Sequence, residues 1–121
     1  MARFQPVISD RYPYLDLRVQ IRDWQDETYA LVDTGYTGNL VVPERLWSQE
    51  LGQADGRINL IVADGGIVRA PVYLGDIELS GIPVISGIRV VFMGEEFILG
   101  RGIIDRFKVT FDHGQRIVVE P

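Results

Sequence analysis

Between Leu15 and Arg22 the side chains alternate without a break: Leu15, Leu17, Val19 and Ile21 are apolar, and Asp16, Arg18, Gln20 and Arg22 are polar. A strand turns successive side chains to opposite faces, so this stretch predicts a β-strand with one buried and one wet face. Similar short runs recur to the end of the chain. Thr28 to Val32, Leu40 to Val42 and Phe97 to Leu99 are continuously apolar enough to read as buried strands. Ile58 to Ala63, Ile67 to Leu74, Ile77 to Leu79, Ile82 to Ile85 and Ile88 to Met93 read as further strands. Phe107 to Phe111 and Arg116 to Val119 suggest a hairpin around His113-Gly114. About ten short strands at close spacing predict an all-β protein, closed into a barrel or folded as a sandwich.

The turns between these runs carry the residues that turns need. Asp23 to Asp26 is polar, with Trp24 placed to cap a core edge. Asp64-Gly65-Gly66 joins two strand patterns, and Asp-Gly there predicts a type I′ hairpin with positive φ at both central residues. Ser80-Gly81, Ser86-Gly87 and Gly94-Glu95 are read as turns. Helix is expected in two places. Pro43 to Gly52 has Pro at a first helical position, Gly at the C-terminal end, and Leu46, Trp47 and Leu51 at helical spacing. Arg101 to Arg106 suggests a second, shorter helix. Leu31-Val-Asp-Thr-Gly35 and Ile98-Leu-Gly100 echo one another, each an apolar strand that stops at a glycine loop. The echo suggests two related halves within one domain.

Composition narrows the chemistry. At 121 residues the whole chain, 1–121, is sized for one domain with one core. It has no Cys, which removes disulfides, thiolate nucleophiles and Cys-ligated metals together. It has one His, His113, so a multi-histidine metal site in one chain is excluded. Asp10, Asp16, Asp23 and Asp26 lack regular metal-ligand spacing. No metal and no cofactor are therefore expected. A net charge of −5 argues against a nucleic-acid partner. No apolar leader is visible, and Gly81 to Gly94 is too short for a membrane span and is broken by Arg89. A cytoplasmic protein without a membrane partner is the expectation.

One carboxylate stands out. Asp33 directly follows an apolar strand, where an unpartnered charge would cost several kcal/mol. Thr34 supplies a hydroxyl and Gly35 a backbone that can approach the carboxylate closely. Taken alone, Asp-Thr-Gly is also an ordinary turn sequence. Its context is more specific. Ala30-Leu-Val-Asp-Thr-Gly-Tyr-Thr-Gly-Asn-Leu-Val-Val-Pro43 resembles the active-site loop of the retropepsin-like aspartic proteases, especially their small bacterial relatives. Phe97-Ile-Leu-Gly-Arg-Gly-Ile-Ile104 is similar to the second motif of that family, and Asp64-Gly65-Gly66 lies between the two where the family carries its flap. The resemblance runs in order from Leu15 to Val119.

It implies a closed retropepsin-like acid-protease barrel, one lobe per chain, and an aspartic endopeptidase that cuts a peptide or protein substrate. Asp33 would be catalytic, with Thr34, Gly35 and Thr37 supporting it. Ala63, Asp64, Gly65 and Gly66 would form the flap over an extended peptide. Ile98, Leu99 and Gly100 would form an apolar wall. The chemistry needs two carboxylates about 3 Å apart sharing a proton. This chain has one Asp-Thr-Gly, so a homodimer is expected, with Asp33 of each subunit at the two-fold axis. Three departures from the family pattern are visible. Thr37 stands where retroviral members often carry an Asp that pairs with the Arg of the second motif, which leaves Arg101 to find another partner, such as a carboxylate of the other subunit. Tyr36 replaces a small residue and could crowd the groove. Gly102 loosens the last helix.

Other readings fit less well. Gly100-Arg-Gly102 followed by Asp105 lacks the third glycine of a dinucleotide-binding loop, and too little chain follows for a βαβ unit. A serine hydrolase would need His113 and a Gly-x-Ser-x-Gly that is absent. The alternative from another class is an inactive homodimeric β-module of the same fold that binds extended peptides or serves in an assembly.

Overall fold

In the computed structural model, which describes residues 3–121, ten strands account for most of the chain. They are β1 (Val7–Ser9), β2 (Tyr14–Ile21), β3 (Trp24–Val32), β4 (Leu40–Val42), β5 (Gly56–Ile61), β6 (Ile67–Leu79), β7 (Ile85–Phe92), β8 (Ile98–Leu99), β9 (Lys108–Asp112) and β10 (Arg116–Glu120). In β2 the expected alternation is complete: Leu15, Leu17, Val19 and Ile21 are buried, and the residues between them face out. Each such side chain withdrawn from water contributes roughly 2 kcal/mol.

The barrel closes because β2 has a neighbour on each side. It pairs with β3 along its length and with β6 from Leu17 to Gln20. The order β2-β3-β8-β4-β7-β6 therefore returns to β2, and β5 extends from β6 as the outer arm of a hairpin. Gly75 sits at this closure, where a Cβ would stand 2.7 Å from the Gln20 carbonyl oxygen. Most of the buried side chains of β2, β3, β6, β7 and β8 form one core, and Ile103, Ile117 and Val119 extend it under a separate sheet of order β1-β10-β9; Ala70, Val72 and Val91 make a second, smaller cluster between β6 and β7. Among the described residues no polar or charged residue is buried.

Local structure departs from the sequence expectations in four places. The turn after β2 is confined to Arg22 and Asp23, so β3 begins at Trp24 rather than Thr28. Trp24 does cap the core edge, its indole tilted against Phe92 at 6.2 Å. The expected helix over Pro43 to Gly52 is two 3-10 turns, Glu44–Leu46 and Gln49–Leu51, interrupted at Trp47 by extended backbone (φ −69, ψ 138). There the Trp47 indole N–H donates to the buried Tyr73 hydroxyl at 2.9 Å, and only Leu51 of these turns is buried. So short a helix has little cooperativity to hold against such a contact.

Ile67 to Leu79 is one strand rather than two, because its closing pairs with β2 carry it across Gly75. Ile82 to Ile85 is not a strand; β7 starts at Ile85 and runs through the expected Ser86-Gly87 turn. Gly87, at φ +69, takes up a register shift opposite Gly75 to Ile77, so the turn residues make a bulge instead of a reversal. The final helix, α1, spans Arg101–Ile104.

Candidate active site

β3 delivers Asp33. Strand pairing continues one residue beyond Val32, with the Asp33 N–H donating to the Leu99 carbonyl at 3.0 Å. Along β3 the even positions Ala30 and Val32 are buried, and the odd positions Tyr29 and Leu31 face outward. Asp33 keeps the outward parity and is half-buried. Its Oδ1 accepts the Gly35 N–H at 2.8 Å. A Cβ at position 35 would stand 3.1 Å from that same oxygen, so glycine is what admits the contact.

The echo between the two apolar-to-glycine motifs has a spatial meaning. β3 and β8 lie side by side and parallel, with Leu31 opposite Ile98 and Val32 opposite Leu99. The loops that follow are laced together by backbone hydrogen bonds. Gly100 N–H donates to Asn39 O at 2.9 Å, Arg101 N–H to Tyr36 O at 2.7 Å, and Gly102 N–H to Gly38 O at 2.9 Å. Such close approach demands missing side chains. A Cβ on Gly100 would stand 2.3 Å from the Gly38 carbonyl oxygen, and one on Gly102 would stand 2.9 Å from it. Gly102 is thus a packing requirement of the loop rather than a loosening of α1.

Tyr36 is half-buried and turned inward, its ring lying over the positions where side chains on Gly38 and Gly100 would project. Burial pushes its phenol pKa up, so it stays a neutral hydroxyl through the physiological range. Asn39 is a further positioning residue that composition gave no reason to single out: its side-chain oxygen accepts the Arg89 N–H at 2.9 Å and ties the loop to β7. Thr34 and Thr37 are exposed.

The structure separates the expected apolar wall. Ile98 is half-exposed on the same face as Leu31 and Asp33, whereas Leu99 is 1% exposed and belongs to the core beneath the loop. Leu31 and Tyr14, opposite one another across β3 and β2, extend the outward row that Ile98 begins, and period-2 counting back from Asp33 is the signal that finds Leu31. Arg101 pairs within the chain with Asp105, at 3.2 Å on the exposed side of α1.

The hairpin between β5 and β6 carries Ala63, Asp64, Gly65 and Gly66 at an exposed tip. Its turn is a three-residue loop, Ala63 to Gly65, rather than the expected two-residue type I′ turn, and Val62 N–H donates to Gly66 O at 2.9 Å. Only Gly65 has positive φ (+86), its N–H donates to Val62 O at 2.9 Å, and Asp64 Oδ1 accepts the Gly66 N–H at 2.7 Å. A carboxylate that caps its own turn removes the need for Asp64 to adopt the left-handed region. The two-residue left-handed turn occurs instead at His113 (φ +53) and Gly114 (φ +67), between β9 and β10.

A surface depression of about 470 Å³ lies elsewhere, over the exposed Arg18–Glu27 ion pair beside Asp16 and Glu78, and contains none of these loop residues. Among the described residues no group of three or more His, Cys, Asp or Glu side chains is placed to hold a metal ion. No helix among them is long and apolar enough to cross a membrane.

No family model and no curated protein matches the chain. Among solved structures, a crystal structure of a retropepsin-like aspartic protease from Rickettsia conorii superposes with a TM-score of 0.62 at 14% sequence identity, covering 98% of this chain and 96% of that one. With its six-stranded closed barrel, its two parallel strands ending in interlocked glycine loops and this structural match, the chain has the retropepsin-like fold, one lobe per chain.

Proposed function

We propose that the chain is an aspartic endopeptidase that works as a homodimer. The observation that carries this reading is the loop from Asp33 to Gly38, clamped under Gly100 and Gly102, with the Asp33 carboxylate on the outward face and held by the Gly35 N–H. A carboxylate oriented by a backbone N–H, on a face it shares with Leu31 and Ile98, is placed as a reacting group would need to be.

In the proposed dimer, Asp33 of each subunit meets its counterpart, and the pair shares one proton because like charges that close cannot both ionise. One carboxylate takes a proton from a bound water while the other donates to the scissile carbonyl oxygen. The water attacks, and the tetrahedral intermediate collapses with protonation of the leaving amine. Thr34 and Thr37 support the paired loops. Ile98 walls the site with Leu31, and Leu99 holds the loop from below. The tip from Ala63 to Gly66 closes over an extended peptide and adds backbone hydrogen bonds as an extra strand would. Arg101, which pairs with Asp105 on the exposed side of α1 within the chain, would take a carboxylate of the other subunit across the dimer contact. No cofactor is needed for this chemistry.

Incubation of the protein with a denatured protein mixture between about pH 3 and pH 7 tests the reading, since a shared-proton dyad works within that range. Cleavage by the wild type and none by Asp33→Asn is the expected result. A folded dimer that cuts nothing at any of these pH values would replace it with the peptide-binding module.

A further inference from the structure

We infer that an open, tyrosine-lined pocket beside the Asp33 face is a specificity subsite for an apolar, preferably aromatic, side chain of the bound peptide. The inference rests on the peptidase reading and names what that peptidase selects. Four of the chain's five tyrosines lie on or next to β2 and β3, and three of them, Tyr12, Tyr14 and Tyr29, line one pocket of about 420 Å³ with Arg11. The fifth, Tyr73, is buried in the core.

Strand register places the pocket on the face that carries Asp33. Across the sheet, Tyr14, Leu31 and Ile98 form one outward row, and Asp33 lies one step along β3 from it on the same face. Tyr29 lies one step the other way, opposite Asp16. Tyr29 and Asp33 are four residue steps apart along the strand, about 13 Å, which is the span of about four steps of an extended peptide.

The walls are fixed before anything binds. Tyr12 packs edge-on against Phe111 at 6.2 Å, tying the loop before β2 to the C-terminal hairpin. The Tyr14 hydroxyl donates to Glu96 at 2.7 Å and holds that ring across the row. The Arg11 guanidinium lies 4.2 Å from the centre of the Tyr29 ring. That stacked cation decides the guest. It already satisfies the negative face of Tyr29 and repels a second cation, so a lysine or arginine side chain is disfavoured. What remains on offer is aromatic edge and apolar surface, with Tyr12 and Tyr29 both exposed in the free chain at 36% and 40%.

Two measurements test this. In the first, the peptides released from a denatured protein mixture are sequenced for wild type, Tyr29→Ala and Tyr29→Phe. Wild type and Tyr29→Phe should favour Phe, Tyr, Trp or Leu at one position three to five residues from the cut bond. Tyr29→Ala should lose that preference, with KM for a substrate of the favoured type raised about ten-fold and kcat unchanged, a loss typical of one aromatic contact. An unchanged cleavage profile in Tyr29→Ala, or a change in sedimentation without a change in profile, overturns the inference, the latter because the pocket would then belong to the dimer contact.

The second measurement does not depend on cleavage. N-acetyl-phenylalaninamide and N-acetyl-lysinamide are titrated separately into Asp33→Asn protein while tyrosine ring resonances are followed. Saturating shifts at Tyr12 and Tyr29 with the phenylalanine probe, and none with the lysine probe, support the pocket. No shifts, or equal shifts with both, overturn it. If wild type cuts nothing yet the phenylalanine probe binds, the peptidase reading fails and the pocket stands. If wild type cuts but neither readout responds to Tyr29, the pocket fails and the peptidase reading stands.

Discussion

A single methyl group at Gly100 probes the lock on the Asp33 loop. It would sit 2.3 Å from the Gly38 carbonyl oxygen, and backbone cannot yield as a side-chain end can. Gly100→Ala is therefore expected to destabilise the fold by about 3 kcal/mol, the scale of overpacking a tight site. Urea unfolding of the two proteins checks it, and a midpoint equal to wild type would mean the two loops are less closely packed than described. The turn at Asp33 was legible in the sequence in part: of the two local partners it offers, Gly35 donates to the carboxylate, whereas Thr34 is exposed. Tyr36 was not: the ring could have crowded the groove, and only the empty space left by Gly38 and Gly100 explains why it turns inward instead. Leu99 was misread for a related reason. Adjacent strand residues face opposite ways, so Ile98 and Leu99 could not both line the site.

Among the elements, strands that alternate cleanly were the easiest to read, and β2 matches its pattern residue for residue. Elements decided by a distant contact were not. The 3-10 turns around Trp47 depend on a hydrogen bond to Tyr73, 26 residues away, and the bulge at Gly87 depends on closing the barrel. The β9–β10 hairpin offers a test at this scale. Asp112, at its turn, hydrogen-bonds His113 and pairs with Arg116 at 2.6 Å, which together hold its carboxyl below the usual carboxylate range. A carboxylate with a lowered folded pKa stabilises the fold fully above its unfolded pKa, near pH 4, and loses that contribution as pH falls through the lowered value. Acid titrations of wild type and Asp112→Asn should therefore differ above about pH 4 and converge below it. A gap that stays constant into stronger acid would show that Asp112 contributes by some means other than its charge.

At the scale of the molecule, the all-β class was legible from strand count, and the closed barrel only through the family resemblance that three motifs carry. What no single-chain sequence displays is a site shared between two copies. One chain carries one Asp-Thr-Gly and one lobe, so the account requires that activity belong to a pair. Analytical ultracentrifugation should find a dimer at the concentrations where the protein cuts. The sharpest measurement mixes subunits. Wild type and Asp33→Asn are combined in equal amounts, allowed to exchange, and assayed at constant total protein. If each dimer needs two intact carboxylates, only wild-type pairs cut, and activity falls to about one quarter of the wild-type value. Activity of about one half, the value for chains that each work alone, would contradict the composite site.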